Sequence, residues 1–466
     1  MNIKKHNIMS RSEWKIIFVI FTIAFIFRSI LFISASPFTD DYSSKLITGD
    51  SVHYHQLAIT LVETNTYATE GKPHSLWAPG YPFFLSICYR LFGIQIEYAI
   101  LVQIVISSLL FLPFFIFTHD IFSTKVRLIG SIILAFEPHL VLFSNIFLSE
   151  TVFLALFISS LTCYIRYLKI KHISWLFYSA LLLGLATLTR VAAQYFFILL
   201  IMHMFGYLII NRCGRQIIKA GIVFIIVFSA ITTPWMMRNY LNYGYFSMSS
   251  GTGYNLLINN ISTIDFMESP LTLSEIRQYH FQQARKQAKL TSNANAFELN
   301  QAYLEYGLGR IKQDIYRYFV GHLIEIQQVA YEHREYFLFL EHLLQIETRK
   351  FFVKYIPQPG GEMIIIRDEV FKLPYLSAKI MMEFYQIIML ILILVYLLTN
   401  IKKRDPALGI VLLFVLVIFY FPIISSMSAP TRFRVPMIPF ITFIGVHGLF
   451  FVLQYYRKYK QVITST

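Results

Sequence analysis

Residues 149–171 read SETVFLALFISSLTCYIRYLKIK, and this stretch decides the fold. Between Glu150 and Arg166 the run carries no charge. With its flanks it reaches the roughly 20 apolar residues that a helix needs to cross a bilayer. Its ends differ in sign: Glu150 stands at one, and Arg166, Lys169 and Lys171 stand at the other. A basic end marks the cytoplasmic side of a span. Comparable runs recur outward at about 15–35, 97–118, 127–145, 173–189, 191–210, 217–236, 378–400, 407–426 and 435–454. Together they predict an all-α polytopic membrane protein of about ten transmembrane helices. Composition agrees, since 56% of the 466 residues are hydrophobic, 14% are charged and the mean hydropathy is +0.57. Soluble domains carry roughly 25% charged residues, so a soluble enzyme and a disordered chain are both excluded.

The charges then set the topology. With the N-terminus inside, six short cytoplasmic segments hold 18 Lys and Arg against three acids. The net charge of +14 is therefore the positive-inside signature, and nucleic acid is not expected as a partner. The first run lacks a small-residue cleavage pattern and reads as a retained anchor. Two longer segments fall outside, 36–96 and 238–378, and the second balances 14 bases with 14 acids. The chain divides into an N-terminal membrane domain (1–237), an extracytoplasmic helical segment (238–377) and C-terminal membrane helices (378–466). Within the second, 315–345 mixes aromatics and charges at helical spacing and predicts an interfacial amphipathic helix. Cys88, Cys163 and Cys213 offer neither a disulfide framework nor paired metal spacing. No phosphate-cradling glycine loop is present, which argues against a nucleotide as direct fuel.

Candidate chemistry gathers at outer positions. In GDSVHYHQLAITLVET (49–64), Tyr54, Leu57, Ala58, Leu61 and Val62 recur at helical spacing, an amphipathic helix suited to the outer face. Asp50 opens it. A carboxylate there can simply cap the helix, or it can serve as a general base at the water–lipid boundary. Asp40 and Asp41 read as a solvated turn. His53, one turn from Asp50, could join it on a divalent metal, and His55 and His74 read as hydrogen-bonding groups. The turn WAPGYP (77–82) launches the next helix and would set the first outer loop against the spans. Glu150 lies on the same side as Asp50, either as a snorkelling turn residue or as a second acid in a shared cavity, while Glu137 sits within an apolar run. Arg190, Arg238, Arg432 and Arg434 fall at outer span ends, against the positive-inside trend. Guanidinium forks bind phosphate, and at this depth the phosphate would be that of a lipid. Arg28, two-thirds through the first span, could join these arginines, although snorkelling is the simpler reading.

Asp50 in GDSVHYHQLA, then APGYP, FLSETVF, LATLTR, TPWMMRNY, SSGTGYNLL and RFRVPMIPF occur in an order that resembles polyprenyl-phosphate-sugar glycosyltransferases of the C-type superfamily. The likeness is to the branch of protein O-mannosyltransferases and lipid A aminoarabinose transferases, over roughly 15–260 and 405–455. The resemblance implies a many-span fold, to which the spacing at 49–64 and 315–345 adds amphipathic outer-face helices. It also implies a catalytic acid in the first outer loop, matching Asp50, and inverting sugar transfer from a polyprenyl-phosphate donor to an extracytoplasmic acceptor (lipid, glycan or protein). Glu150 matches the second outer acid, and Arg238, Arg432 and Arg434 match outer basic positions. Ser51 departs from relatives that place a second acid directly after the first. Tyr54, Tyr81, Trp77 and Trp235 become candidates for stacking on sugar faces, although aromatics also populate membrane interfaces by default.

Two rival classes would share these outer charges: a polymerase or ligase of lipid-linked glycans, and a transporter or flippase of lipid-linked sugars. A transporter would place its carboxylates near mid-membrane and would often show repeated halves. A scaffold would explain the spans but not the one-sided acids and arginines. The expected location is the bacterial cytoplasmic membrane with an extracytoplasmic site; an endoplasmic reticulum membrane would leave the same charge pattern.

Overall fold

The computed structural model describes residues 10–39, 41–119, 121–210, 214–266, 269–331, 333–357, 363–400, 408–425 and 430–465. Asp40 and Cys213 lie outside them. Every apolar run is helical. Among the described residues seven helices are long and apolar enough to cross a membrane: Arg11–Ser34, Ile96–Phe117, Glu150–Ile170, Val191–Ile210, Ile218–Tyr243, Leu373–Thr399 and Thr431–Arg457. The chain is an integral membrane protein. An eighth crossing is made if Thr124–Phe136 and Pro138–Ser144, bent by 52° from each other, form one span. The remaining two runs are the shorter apolar helices Ile173–Thr189 and Leu408–Ile423. The helix Glu150–Ile170 lies at the centre, with 78% of its most apolar window buried, whereas Arg11–Ser34 and Leu373–Thr399 present most of theirs outward.

The bend has a local cause. Pro138 lacks the N–H that would continue the ladder, so carbonyls of the preceding turn are freed. Arg28 answers them. It is 1% exposed, donates to Leu134 O (3.3 Å) and Ala135 O (2.8 Å), and its Nε donates to Ser107 at 2.9 Å. Snorkelling is thus corrected: Arg28 is drawn inward because the broken helix leaves acceptors within its reach. On the other side of the break Glu137 accepts from Leu140 N at 2.8 Å and caps the next helix.

Outside the spans, a small core of Leu257, Ile261, Ala284 and Tyr303 forms between Leu273–Gln287, Ala296–Gln313 and the turn before them. Asp265 ties this unit together, pairing with His280 (2.9 Å), Arg310 (3.0 Å) and Arg317 (3.3 Å). The expected single helix over 315–345 is instead two, Ile315–Tyr331 and Arg334–Leu344. His333, between them, is buried rather than interfacial, because Arg434 donates to it at 2.7 Å and to Val329 O at 2.7 Å. The outer segment is also not wholly helical. Arg349–Pro357 and Met363–Phe371 pair antiparallel, as expected of β-branched and aromatic runs such as FFVKYI and MIII.

The first outer loop is fastened on two sides. Ser250 N donates to Ser75 O at 3.0 Å and Ser249 Oγ to Leu76 O at 2.6 Å, so SSGTG zips onto the residues before WAPGYP. Gly80 then lets the helix Gly80–Phe92 touch the end of Ile173–Thr189. A Cβ at Gly80 would stand 2.7 Å from Thr189 N and 2.8 Å from the Leu188 carbonyl carbon. Backbone cannot rotate away from such an overlap. Gly80→Ala is therefore expected to destabilise the protein by about 1–3 kcal/mol and to lower activity, because the displaced residues adjoin Arg190. A lowered midpoint of thermal unfolding in detergent checks this; an unchanged midpoint would contradict the packing.

Candidate active site

Asp50 and Glu150 each occupy the first turn of a helix, Asp50–Glu63 and Glu150–Ile170, where exposed N–H groups favour a carboxylate. The first helix is entered through Gly49 at φ +56° and ψ −124°, a conformation that a side chain would strain. Ser51, fully buried, donates to Phe147 O at 2.7 Å and pins this helix to the residues leading into Glu150. Two acids from distant parts of the chain thereby share one place.

Arg432 joins them. Its Nη1 lies 2.5 Å from Asp50 Oδ2, and its Nε lies 2.5 Å from Glu150 Oε1. Arg190, at the end of Ile173–Thr189, donates to the same Glu150 oxygen. The site thus holds two acids and two arginines in balance. They are not equally accessible: the Glu150 side chain is 0% exposed, Asp50 26%, Arg432 17% and Arg190 11%. Glu150 is the buried anchor and Asp50 the outward-facing acid. Glu150 Oε2 and Ser149 Oγ, both buried, have no hydrogen-bond partner among the described residues. Asp50 is not acting as a helix cap, since its carboxylate accepts from Arg432 and from no backbone N–H among the described bonds.

A cavity of about 220 Å³ opens beside the pair, lined by Lys45, Gly49, Asp50, Phe147, Phe339, His342 and Arg432 among others. Phe339, His342 and Leu343 belong to the helix Arg334–Leu344, so the large outer segment walls the site. Sequence reasoning did not find these residues or Lys45. The aromatic spacing of 315–345 was visible, but nothing local told that one face meets Asp50.

The other candidates take different positions. Arg238 turns to the first outer loop, donating to His74 O (2.6 Å) and Tyr67 O (2.9 Å), with its guanidinium 4.8 Å from the Trp235 ring. Arg434 is fully buried, facing His333 and His139, and the His139 ring nitrogen meets Glu137 at 2.9 Å. Burial, then the charge of Arg434, push His333 far below the ordinary imidazole value, so this cluster holds a neutral ring beside the arginine. Neither Arg238 nor Arg434 reaches the acids. Tyr54 lies beneath them at 5% exposure, its phenol pushed up to about 12 by burial and partly offset by Arg432. Tyr81 is wholly buried, donating to Gln103 at 2.7 Å and standing edge-on to Tyr54 at 5.0 Å. Both tyrosines are supports of the Asp50 helix, not faces open to a sugar. Trp235 is likewise committed, its Nε1 donating to Met248 O at 2.8 Å.

The proposed metal pair of Asp50 and His53 is not completed. The His53 ring lies 6.3 Å from the His74 ring and 6.1 Å from the Trp77 ring, and its buried Nδ1 has no hydrogen-bond partner among the described residues. Among the described residues no three of His, Cys, Asp and Glu come together in a way that could hold an ion. Arg432 already supplies the positive charge against Asp50, so the donor set does not fit a divalent metal.

The profile of the family described as dolichyl-phosphate-mannose-protein mannosyltransferase matches residues 71–237, a minority of the chain. No curated protein matches significantly. Among solved structures, the oligosaccharyltransferase AglB of Archaeoglobus fulgidus, in complex with an inhibitory peptide and a dolichol-phosphate, superposes with TM-score 0.54 at 14% identity. That match covers 98% of this chain and 52% of AglB. The apo form of the A. fulgidus enzyme gives TM-score 0.51 at 14% identity, over 96% and 52% of the two chains. ArnT from Cupriavidus metallidurans bound to undecaprenyl phosphate gives TM-score 0.41 at 12% identity, over 93% and 78%. The chain spans about half the length of the archaeal structures it matches. The two archaeal matches show that the chain shares the fold of the A. fulgidus oligosaccharyltransferase over about half of that protein's length.

Proposed function

We propose that the protein is an integral-membrane glycosyltransferase that moves a sugar from a polyprenyl-phosphate donor to an acceptor on the extracytoplasmic face, with inversion. The observation that carries this reading is the Asp50–Arg432–Glu150–Arg190 constellation beside the cavity. Arginines and one exposed carboxylate are what this transfer needs. The donor's lipid would lie among the spans, with its phosphate against Arg432 and Arg190. As the bond from the sugar carbon to the phosphate oxygen breaks, charge grows on the phosphate and the guanidiniums stabilise it. The acceptor's nucleophilic atom forms the new bond from the opposite side, and its proton passes to Asp50. The products are the glycosylated acceptor and the polyprenyl phosphate. Direct displacement by a single base gives inversion.

Support comes from three directions. Glu150, Arg190 and Arg432 sit at span ends, and Asp50 in a loop, that the Lys/Arg distribution assigns to the outer side. The profile match covers Glu150 and Arg190, and the archaeal structure with the same fold was obtained with a dolichol-phosphate. The broken span has its freed ends closed by Arg28 and Glu137, which disfavours a transport path through it. A bacterial cytoplasmic membrane is the proposed location. The domain division at 237 and 377 is retained as a proposal, with the middle segment completing the cavity through Phe339 and His342.

The test is to supply membranes containing the protein with sugar linked to polyprenyl monophosphate or, separately, to polyprenyl pyrophosphate. Transfer from the monophosphate alone is expected. Transfer from the pyrophosphate alone would point to the polymerase or ligase class, and uptake without a covalent product to a flippase.

A further inference from the structure

Arg432 is shared between two carboxylates that differ in every respect relevant to exchange. Glu150 is fully buried, its Oε1 is held by Arg190 as well as by Arg432 Nε, and it has nowhere to go. Asp50 is partly exposed on the cavity wall, and among the described residues Arg432 is its only side-chain partner. Its helix begins at that very residue, after a glycine at positive φ. One bond of the fork is therefore anchored and the other is replaceable.

Resting on the glycosyltransferase reading, we infer that the donor's phosphate competes with Asp50 for Arg432 Nη1, so that donor binding itself unmasks the catalytic base. While Arg432 holds Asp50 Oδ2 at 2.5 Å, that oxygen is occupied by a donor and is poorly placed to take a proton. An incoming phosphate oxygen offers the guanidinium the same charge-assisted bond. The Nε bond to Glu150 keeps the arginine in place while Nη1 changes partner. Charge counting agrees. The resting site is balanced, with Asp50 and Glu150 against Arg190 and Arg432, and a phosphodiester adds one negative charge. That surplus falls on Asp50, which becomes a carboxylate without its cation, its oxygen free to receive the acceptor's proton. The acceptor's proton then neutralises it in the transfer step. Glu150 is in this scheme a positioning residue: it touches no substrate and fixes the pivot. Acceptor activation follows donor binding, so an acceptor entering first finds the base engaged.

The inference makes an unusual demand: removing the charge of the base must improve donor-phosphate binding. The experiment measures binding of polyprenyl monophosphate, with the uncharged polyprenol as control, to the purified full chain and to Asp50→Asn in lipid nanodiscs. The variant is expected to bind the monophosphate roughly tenfold tighter, a factor equivalent to about 1.4 kcal/mol, with polyprenol binding unchanged. A gain of affinity cannot arise from misfolding. Monophosphate binding equal to or weaker than that of the unaltered protein would overturn the inference while leaving the glycosyltransferase reading standing. If the unaltered protein shows no preference for monophosphate over polyprenol, the functional reading fails and the inference falls with it. As a second arm, Glu150→Gln should weaken monophosphate binding and remove the gain when combined with Asp50→Asn, since the pivot is lost. Persistence of the full gain in the double variant would contradict the role of Glu150.

Discussion

Membranes carrying Asp50→Asn are expected to transfer sugar from a polyprenyl-monophosphate donor about 10²–10⁴-fold more slowly than the unaltered protein. Asparagine keeps the shape of the side chain and can still accept a hydrogen bond from Arg432, but it cannot take up the acceptor's proton. The fold should tolerate the change. Asp50 is 26% exposed, and an ion pair open to solvent to that extent contributes on the order of 1 kcal/mol or less. Turnover number and thermal unfolding should therefore separate, the first collapsing and the second moving little. Turnover like that of the unaltered protein would remove Asp50 from the role of base. A large fall in the unfolding midpoint would instead make it a structural residue.

At Glu150 both readouts should fall together. Glu150→Gln leaves Arg190 and Arg432 facing each other with no carboxylate between them, and the acid it replaces is 0% exposed. Breaking a buried pair by removing one partner costs about 3–5 kcal/mol, because a charge remains that water cannot reach. Two arginines share the loss here, so the upper part of that range is expected. Transfer should fall by about 10²–10³-fold as the guanidiniums leave the position where phosphate charge develops. Thermal unfolding in detergent and transfer in membranes check the two halves. A Glu150→Gln protein of unaltered stability would show that solvent reaches this carboxylate, contrary to its burial.

The contrast between these two acids measures how far the sequence could be read. Both were legible as outer acids opening a helix or following a turn, since a carboxylate near a first turn and beside an apolar run is a local pattern. Their division of labour was not. Burial of Glu150 depends on Ser51 reaching Phe147 O and on Arg190 arriving from another helix, neither of which a window of sequence contains. Tyr54 and Tyr81 teach the same lesson from the other side. As aromatics at an interface they suited sugar stacking, yet they are buried props, one against Gln103 and the other beneath the charged site. Aromatics and charges mixed at helical spacing over 315–345 suit a helix at the membrane interface. Arg434 instead satisfies Val329 O and His333 from within the protein, and the segment closes over the cavity.

Apolar runs of span length are a one-dimensional property, so the residues alone carried the polytopic membrane character and the positions of the apolar helices. The order of its motifs also pointed to a fold that the archaeal match shares. Which outer arginines meet the acids was decided only in the tertiary structure. Arg432 and Arg434 stand two residues apart on one short helix, and Arg432 finds Glu150 across 282 residues while Arg434 turns into the core. No local pattern distinguishes them. The physical reason is that a guanidinium goes where packed helices leave acceptors unsatisfied, and those acceptors exist only once the helices are packed.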